Sequence, residues 1–132
     1  MDYTLRTTLD MPYDAAVAAT RAALDEQGFG ILTEIDLAAT LKTKLDVDLP
    51  PQVILGACRP ALAYQALQVD ASIAAVLPCN VVVRSIDEST TIVEAFNPDA
   101  MMGLADNAAL DTVAADAKQR LTAALAALTK EN

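Results

Sequence analysis

From Leu110 to Leu128 the apolar residues Leu110, Val113, Ala114, Ala117, Leu121, Ala124, Leu125 and Leu128 fall at i, i+3, i+4 spacing, which places them on one face of a long α-helix. The other face carries Asp111, Asp116, Lys118, Gln119 and Arg120 and stays in water. A stripe of that length has to lie on a broad apolar surface, and one face of a β-sheet is the usual partner. The remaining residues are patterned to build that sheet.

Tyr3, Leu5, Thr7 and Leu9 alternate with Thr4, Arg6 and Thr8, the period of a half-buried strand. Asp10 and Pro12 offer a cap and a preset φ for a helix that runs to about Gln27 and closes at Gly28 in the left-handed region. Tyr13, Ala16, Val17, Ala23 and Leu24 share one face of it. A second strand follows over 29–35, and Asp36 can cap a short helix in which Leu37, Leu41 and Leu45 form a repeat. Pro50 and Pro51 end that segment.

A third strand over 52–57 leads through Cys58, Arg59 and Pro60 into a helix near 61–67. Residues 70–78 read either as a short helix or as an extended approach to the next strand. Strands over 80–86 and 90–96 make a hairpin turning at Asp87, Glu88 and Ser89. The run Val81-Val82-Val83 fits a central strand. Asn97-Pro98-Asp99 opens a loop carrying Met101 and Met102. No repeat or linker interrupts this series, so residues 1–132 form one domain.

Composition excludes several classes of function. The net charge is −9, with nine basic residues among eighteen acidic ones. Phosphate backbones are bound by clustered Lys and Arg that release counterions, so nucleic acid is not an expected partner. A polybasic membrane patch is missing for the same reason. No segment approaches the roughly 18 continuous apolar residues of a membrane span, and the start lacks a secretory signal. The expectation is a cytoplasmic protein with two reduced cysteines. The core is rich in Ala, Leu, Val and Ile and needs no cofactor to fold.

Four phrases occur together in order. They are Gln27-Gly28-Phe29-Gly30-Ile31-Leu32-Thr33-Glu34-Ile35-Asp36-Leu37, Leu55-Gly56-Ala57-Cys58-Arg59-Pro60, Leu77-Pro78-Cys79-Asn80-Val81-Val82-Val83, and Asn97-Pro98. The chain resembles the bacterial and archaeal family called domain of unknown function 302, over nearly its whole length. The resemblance implies an α+β fold: a curved, mainly antiparallel five-stranded sheet covered by helices, in a TATA-binding-protein-like β-α-β4-α arrangement with a long C-terminal helix. It also implies a homodimer. It transfers no activity, and Arg59 stands where a small or polar residue such as Asn is expected.

The candidate site residues are Cys58, Cys79, Arg59 and Glu34. Cys58 sits between a strand end and a helix start, beside Arg59, where the helix terminus and the guanidinium would favour a thiolate. The competing reading makes it a small buried apolar residue. Cys79 faces Cys58 if the third and fourth strands are neighbours, which would allow a reversible redox pair; packing alone also accounts for it. Glu34 and Glu94 could each point into an apolar surface, where desolvation raises a carboxyl pKa; a sheet-edge or satisfied polar role is the favoured reading of both. Metal is not expected: zinc takes four ligands and the chain has no histidine. That absence also removes the commonest general base. The Met101-Met102 segment is either an apolar lid or an ordinary packing loop.

Two functions fit these residues. One is a non-catalytic dimeric module that binds a small apolar or amphipathic ligand, or a protein partner, between sheet and helices. The alternative is a thiol-dependent redox or transfer protein using Cys58 and Cys79.

Overall fold

The computed structural model describes residues 2–105 and 107–130. The elements follow the order β1 (Thr4–Leu9), α1 (Tyr13–Glu26), β2 (Gly30–Asp36), α2 (Leu37–Leu45), β3 (Gln52–Cys58), α3 (Pro60–Val69), β4 (Cys79–Asp87), β5 (Thr90–Phe96), α4 (Pro98–Gly103) and α5 (Asp111–Lys130). Short 3₁₀ turns, Ala71–Val76 and Ala108–Leu110, precede β4 and α5. The five strands form one antiparallel sheet in the order β1-β5-β4-β3-β2, so the Val-rich β4 is its central strand. Among the described residues no helix is long and apolar enough to cross a membrane.

Period-2 alternation decides which face is covered. Leu9, Val53, Leu55, Val81, Val83, Val93 and Ala95 point to one side and are buried with α1 and α5. From α1 come Ala16, Ala23 and Leu24; from α5 come Leu121, Ala124 and Leu128. Thr20 is the one buried polar residue on this face of α1, and its hydroxyl donates to Ala16 O at 2.7 Å, so no buried donor is left unpaired. The sheet's other face bears Ile54, Val82, Ile92 and Glu94, which remain half-exposed.

A second, smaller cluster joins α3, the first 3₁₀ turn, Cys79 and the start of α5 through Leu62, Ala66, Ile73, Leu110, Val113 and Ala117. It lies at the end of the sheet where β3 turns into α3. The core thus has two lobes, and the candidate site falls at the smaller one.

Several local expectations need correction. Pro12, not Asp10, is the N-cap of α1, and no side chain caps that helix. The Leu37–Leu41–Leu45 repeat is covered only in part: α2 buries no residue fully, Leu37 and Leu41 are half-buried and Leu45 is 67% exposed. Its neighbour β2 is an edge strand, so there is no further sheet surface beyond it for α2 to cover. The segment after Asn97 is the helix α4, not a loop. Asn97 is buried, its Oδ1 accepts from Asp99 N at 3.0 Å, and its Nδ2 donates to Asp2 O at 3.1 Å. An Asn-Pro pair is a cap followed by a first helical residue, and six residues were too few to show periodicity. The side chains of Met101 and Met102 lie outside the described residues.

Other local features stand as expected. Asp36 Oδ1 accepts from Ala39 N at 2.9 Å and caps α2, Gly28 has φ +85°, and Asp87 Oδ1 accepts from Ser89 N at 2.9 Å in the hairpin turn. Residues 70–78 resolve as a 3₁₀ turn capped by Asp70, whose Oδ1 accepts from Ser72 N at 3.0 Å.

Candidate functional site

β3 and β4 are neighbours, with Ala57 opposite Cys79. Cys58 is therefore one residue further along β3 than the partner of Cys79. Both cysteines line one cleft between the sheet end and helices α3 and α5, together with Phe29, Leu62, Ala66 and Val113. Cys58 is partly exposed and Cys79 is buried; both are free thiols. The cleft holds about 30 Å³, whereas one water needs about 10–15 Å³. As it stands it admits a group the size of one or two waters.

The local sequence explains this geometry. Arg59 caps α3 with extended backbone dihedrals, φ −101° and ψ 102°, and Pro60 takes the first helical position. The Arg59 carbonyl accepts from Leu62 N and Ala63 N at 3.0 Å each, so the first turn is closed by backbone and not by a side chain. The Arg59 side chain runs back along the end of α1, where Nε donates to Gln27 O at 3.3 Å. A Cβ on Gly28 would come within 3.0 Å of that Nε, so Gly28 serves both the left-handed cap and the seat of the guanidinium.

The electrostatics run against an acidic thiol. Burial pushes the Cys58 thiol above its ordinary value. Burial first, then the proximity of Cys58, pushes Cys79 up to about 11. The expected help from Arg59 and the α3 terminus does not overcome desolvation at Cys58; Arg59 Nε points to the Gln27 carbonyl. Both sulfurs are protonated at neutral pH.

Glu34 lies away from the cleft. It is on the helix side of β2, where its carboxylate pairs with Arg21 at 2.7 Å, and its side chain is 53% exposed. An exposed pair of this kind contributes little to stability. The structure thus brings Cys58, Cys79 and Arg59 together and leaves Glu34 out. Phe29, Leu62, Ala66 and Ala117, which complete the cleft, were legible only as apolar helix and strand positions.

Glu94 takes the satisfied polar role and not the one in an apolar surface. It lies on the half-open sheet face, where Thr4 Oγ1 donates to Oε2 at 2.7 Å and Arg84 Nη2 to Oε1 at 3.0 Å. The Thr4 hydrogen bond foremost, and Arg84 with it, holds its carboxyl below the ordinary value of 4.5. A depressed folded value gives stability that is complete above the unfolded pKa and lost as pH falls through the folded one. Glu94→Gln should therefore flatten the acid limb of the stability curve, below about pH 5. Thermal unfolding of both proteins in steps down to about pH 3 measures this; parallel acid limbs would mean that Glu94 carries no such linkage.

The comparisons with known proteins agree on one point. The family model described as "Domain of unknown function DUF302" matches residues 5–128. The chain belongs to that family. A solved structure, an uncharacterised conserved DUF302 protein from Bacillus stearothermophilus, superposes with a TM-score of 0.89 at 26% identity, covering 97% of this chain and 99% of that one. No match was found among curated proteins.

Proposed function

We propose that this DUF302 protein is a non-catalytic, dimeric binding module that takes a small apolar or amphipathic molecule into the cleft between sheet and helices. The observation that carries the reading is the cleft lining: an apolar wall with one guanidinium, Arg59, at its edge. Such a combination suits a short alkyl chain ending in an anionic or hydrogen-bond-accepting group. Because the present space is about 30 Å³, entry requires α3 to shift from α5, and that hinge falls in the smaller core lobe.

Support for a dimer comes from the β2 edge and α2, where Ile35, Leu45, Val47 and Leu49 are exposed. Such a cluster beside an edge strand is what a second copy would cover. A monomer mass in sedimentation equilibrium would remove that part of the proposal.

Binding is tested with hexanoate and hexanol, followed by chemical shifts of the Ala63 and Ala66 methyls. The expected Kd for hexanoate is about 1 mM, the scale for so few non-hydrogen atoms. Hexanol should bind more weakly, and Arg59→Gln should bring the two ligands level. Ala63, half-exposed at the cleft, can be enlarged without overpacking the core; Ala63→Phe should abolish both shifts. Unchanged methyl shifts with wild type at tens of millimolar ligand would sink the reading.

The thiol-dependent alternative is supported by the shared cleft of Cys58 and Cys79. The raised Cys58 value weighs against it, since the thiolate is the nucleophile.

A further inference from the structure

We propose that the open face of the sheet carries a binding site for an uncharged sugar ring, in the depression bordered by Thr4, Gln52, Asn80, Arg84 and Glu94. The site lies across the sheet from α1 and α5 and shares no lining residue with the cleft beside α3.

The register builds it. Thr4 stands opposite Phe96, Glu94 opposite Val82, and Arg84 opposite Gln52, so β1, β5, β4 and β3 all send side chains to one patch. Alternation puts these residues on the face away from the buried Val81, Val83 and Val93. Asn80 and Arg84 flank Val82 along β4, each two residues or about 7 Å from it. The depression measures about 280 Å³, near the lower end of small-molecule sites. Volume does not choose the ligand; the chemistry of the lining does.

Three features make that choice. First, the charges of the lining cancel: Arg84 Nη2 donates to Glu94 Oε1 at 3.0 Å, and Thr4 Oγ1 donates to Oε2 at 2.7 Å. Arg6, opposite Glu94 on β1, is exposed and does not border the depression. An ion would meet one attracting and one repelling partner, so a neutral ligand is favoured. Second, the lining mixes donors and acceptors. The carboxamides of Gln52 and Asn80 offer both, the guanidinium donates and the carboxylate accepts. Sugar hydroxyls also do both, and two on adjacent ring carbons match the planar fork of an amide, a carboxylate or a guanidinium. Third, the chain has only three Tyr, two Phe and no Trp, yet Tyr3 and Phe96 both border this patch. Their rings offer flat apolar surface to the C–H face of a sugar. The hydrogen bonds joining Thr4, Glu94 and Arg84 hold those side chains before a ligand arrives, which lowers the entropic cost of binding.

The test follows the side-chain amide signals of Gln52 and Asn80 in isotopically labelled full-length protein, titrated with glucose, galactose, mannose and N-acetylglucosamine. At least one sugar should shift both signals saturably, with a Kd of about 1–10 mM. Glycerol has hydroxyls but no ring face and should give no saturation. Because the ligand is uncharged, the Kd should change less than about twofold between about 50 and 500 mM salt. Tyr3→Ala and Asn80→Ala alter exposed positions that the core does not use, and each should weaken binding about three- to tenfold. Ala63→Phe, which fills the α3 cleft, should leave sugar binding unchanged, and this separates failure of the present site from failure of the apolar-ligand reading. No saturable shift with any of these sugars at about 100 mM would overturn the proposal. So would saturation by glycerol, wild-type affinity in Asn80→Ala, or loss of sugar binding in Ala63→Phe.

Discussion

Leu121→Ala is expected to remove about 2–5 kcal/mol of unfolding free energy, the range for deleting a fully buried leucine side chain. Leu121 is 1% exposed and stands midway along α5, on the sheet face bearing Val81 and Ala95. It borders a void of about 10 Å³ shared with Thr20, Leu24 and Leu128. Removing three methylene-scale carbons there enlarges an existing gap, and two packed helices over a sheet collapse poorly around it. In urea the midpoint should fall with the slope unchanged. Melting should fall by about 4 °C for each kcal/mol lost. Leu121→Met, which conserves volume, should cost less than about 1.5 kcal/mol. A loss below about 1 kcal/mol for the alanine variant would mean that α5 is not the element that seals the main core.

Gly56→Ala should destabilise by about 1–3 kcal/mol, although alanine is normally better than glycine inside a strand by about 0.5–1 kcal/mol. The sign is decided by crowding. A Cβ at this position would run into Thr33 Oγ1 and come within 2.9 Å of Pro78 Cγ. Thr33 belongs to the bulged part of β2, paired directly across from Gly56, and its hydroxyl can rotate aside. The proline ring cannot. Thr33→Ala should therefore recover part of the loss and leave a remainder due to Pro78. Urea unfolding of the two single variants and the double variant gives the coupling directly. A stabilised Gly56→Ala protein would show that β2 and the Pro78 segment yield easily, and the close approach would then mean nothing.

The elements that long periodicity could specify were legible. The α5 stripe from Val113 to Leu128, the alternation in β1 and the hairpin from β4 to β5 each repeat often enough to leave one solution. Local chemistry was legible as well, because Asp36 and Gly28 act within a turn of their own position. The short helix α4 was missed, since six residues carry less than two periods and only its Asn97 cap marked it. The spacing of the α2 leucines says that a face is apolar and not what lies opposite. β2 is an edge strand, and along that face Leu37 and Leu41 are only half-buried while Leu45 is exposed.

The site divides in the same way. That Cys58 ends a strand and precedes a helix follows from Ala57-Cys58-Arg59-Pro60 alone. Its acidity does not, because it depends on where Arg59 turns and how much apolar surface α3 and α5 lay over the sulfur. For Glu94 the residue pattern left two settings open, a satisfied polar role and an apolar surface that would raise its pKa. Its cross-strand neighbours Thr4 and Arg84 decide for the polar role and lower its pKa, and Thr4 is ninety residues away in the chain.

Residue order alone determined the α+β class and the long closing helix, which rest on patterns repeated along the chain, and the likeness to the DUF302 family, which rests on four phrases in order. Only the tertiary structure decided the strand order, the partly exposed α2, and the meeting of Cys58, Cys79 and Arg59 at one cleft without Glu34. Those depend on contacts between segments far apart in sequence, where desolvation and hydrogen bonding set the energies, and no local period encodes either.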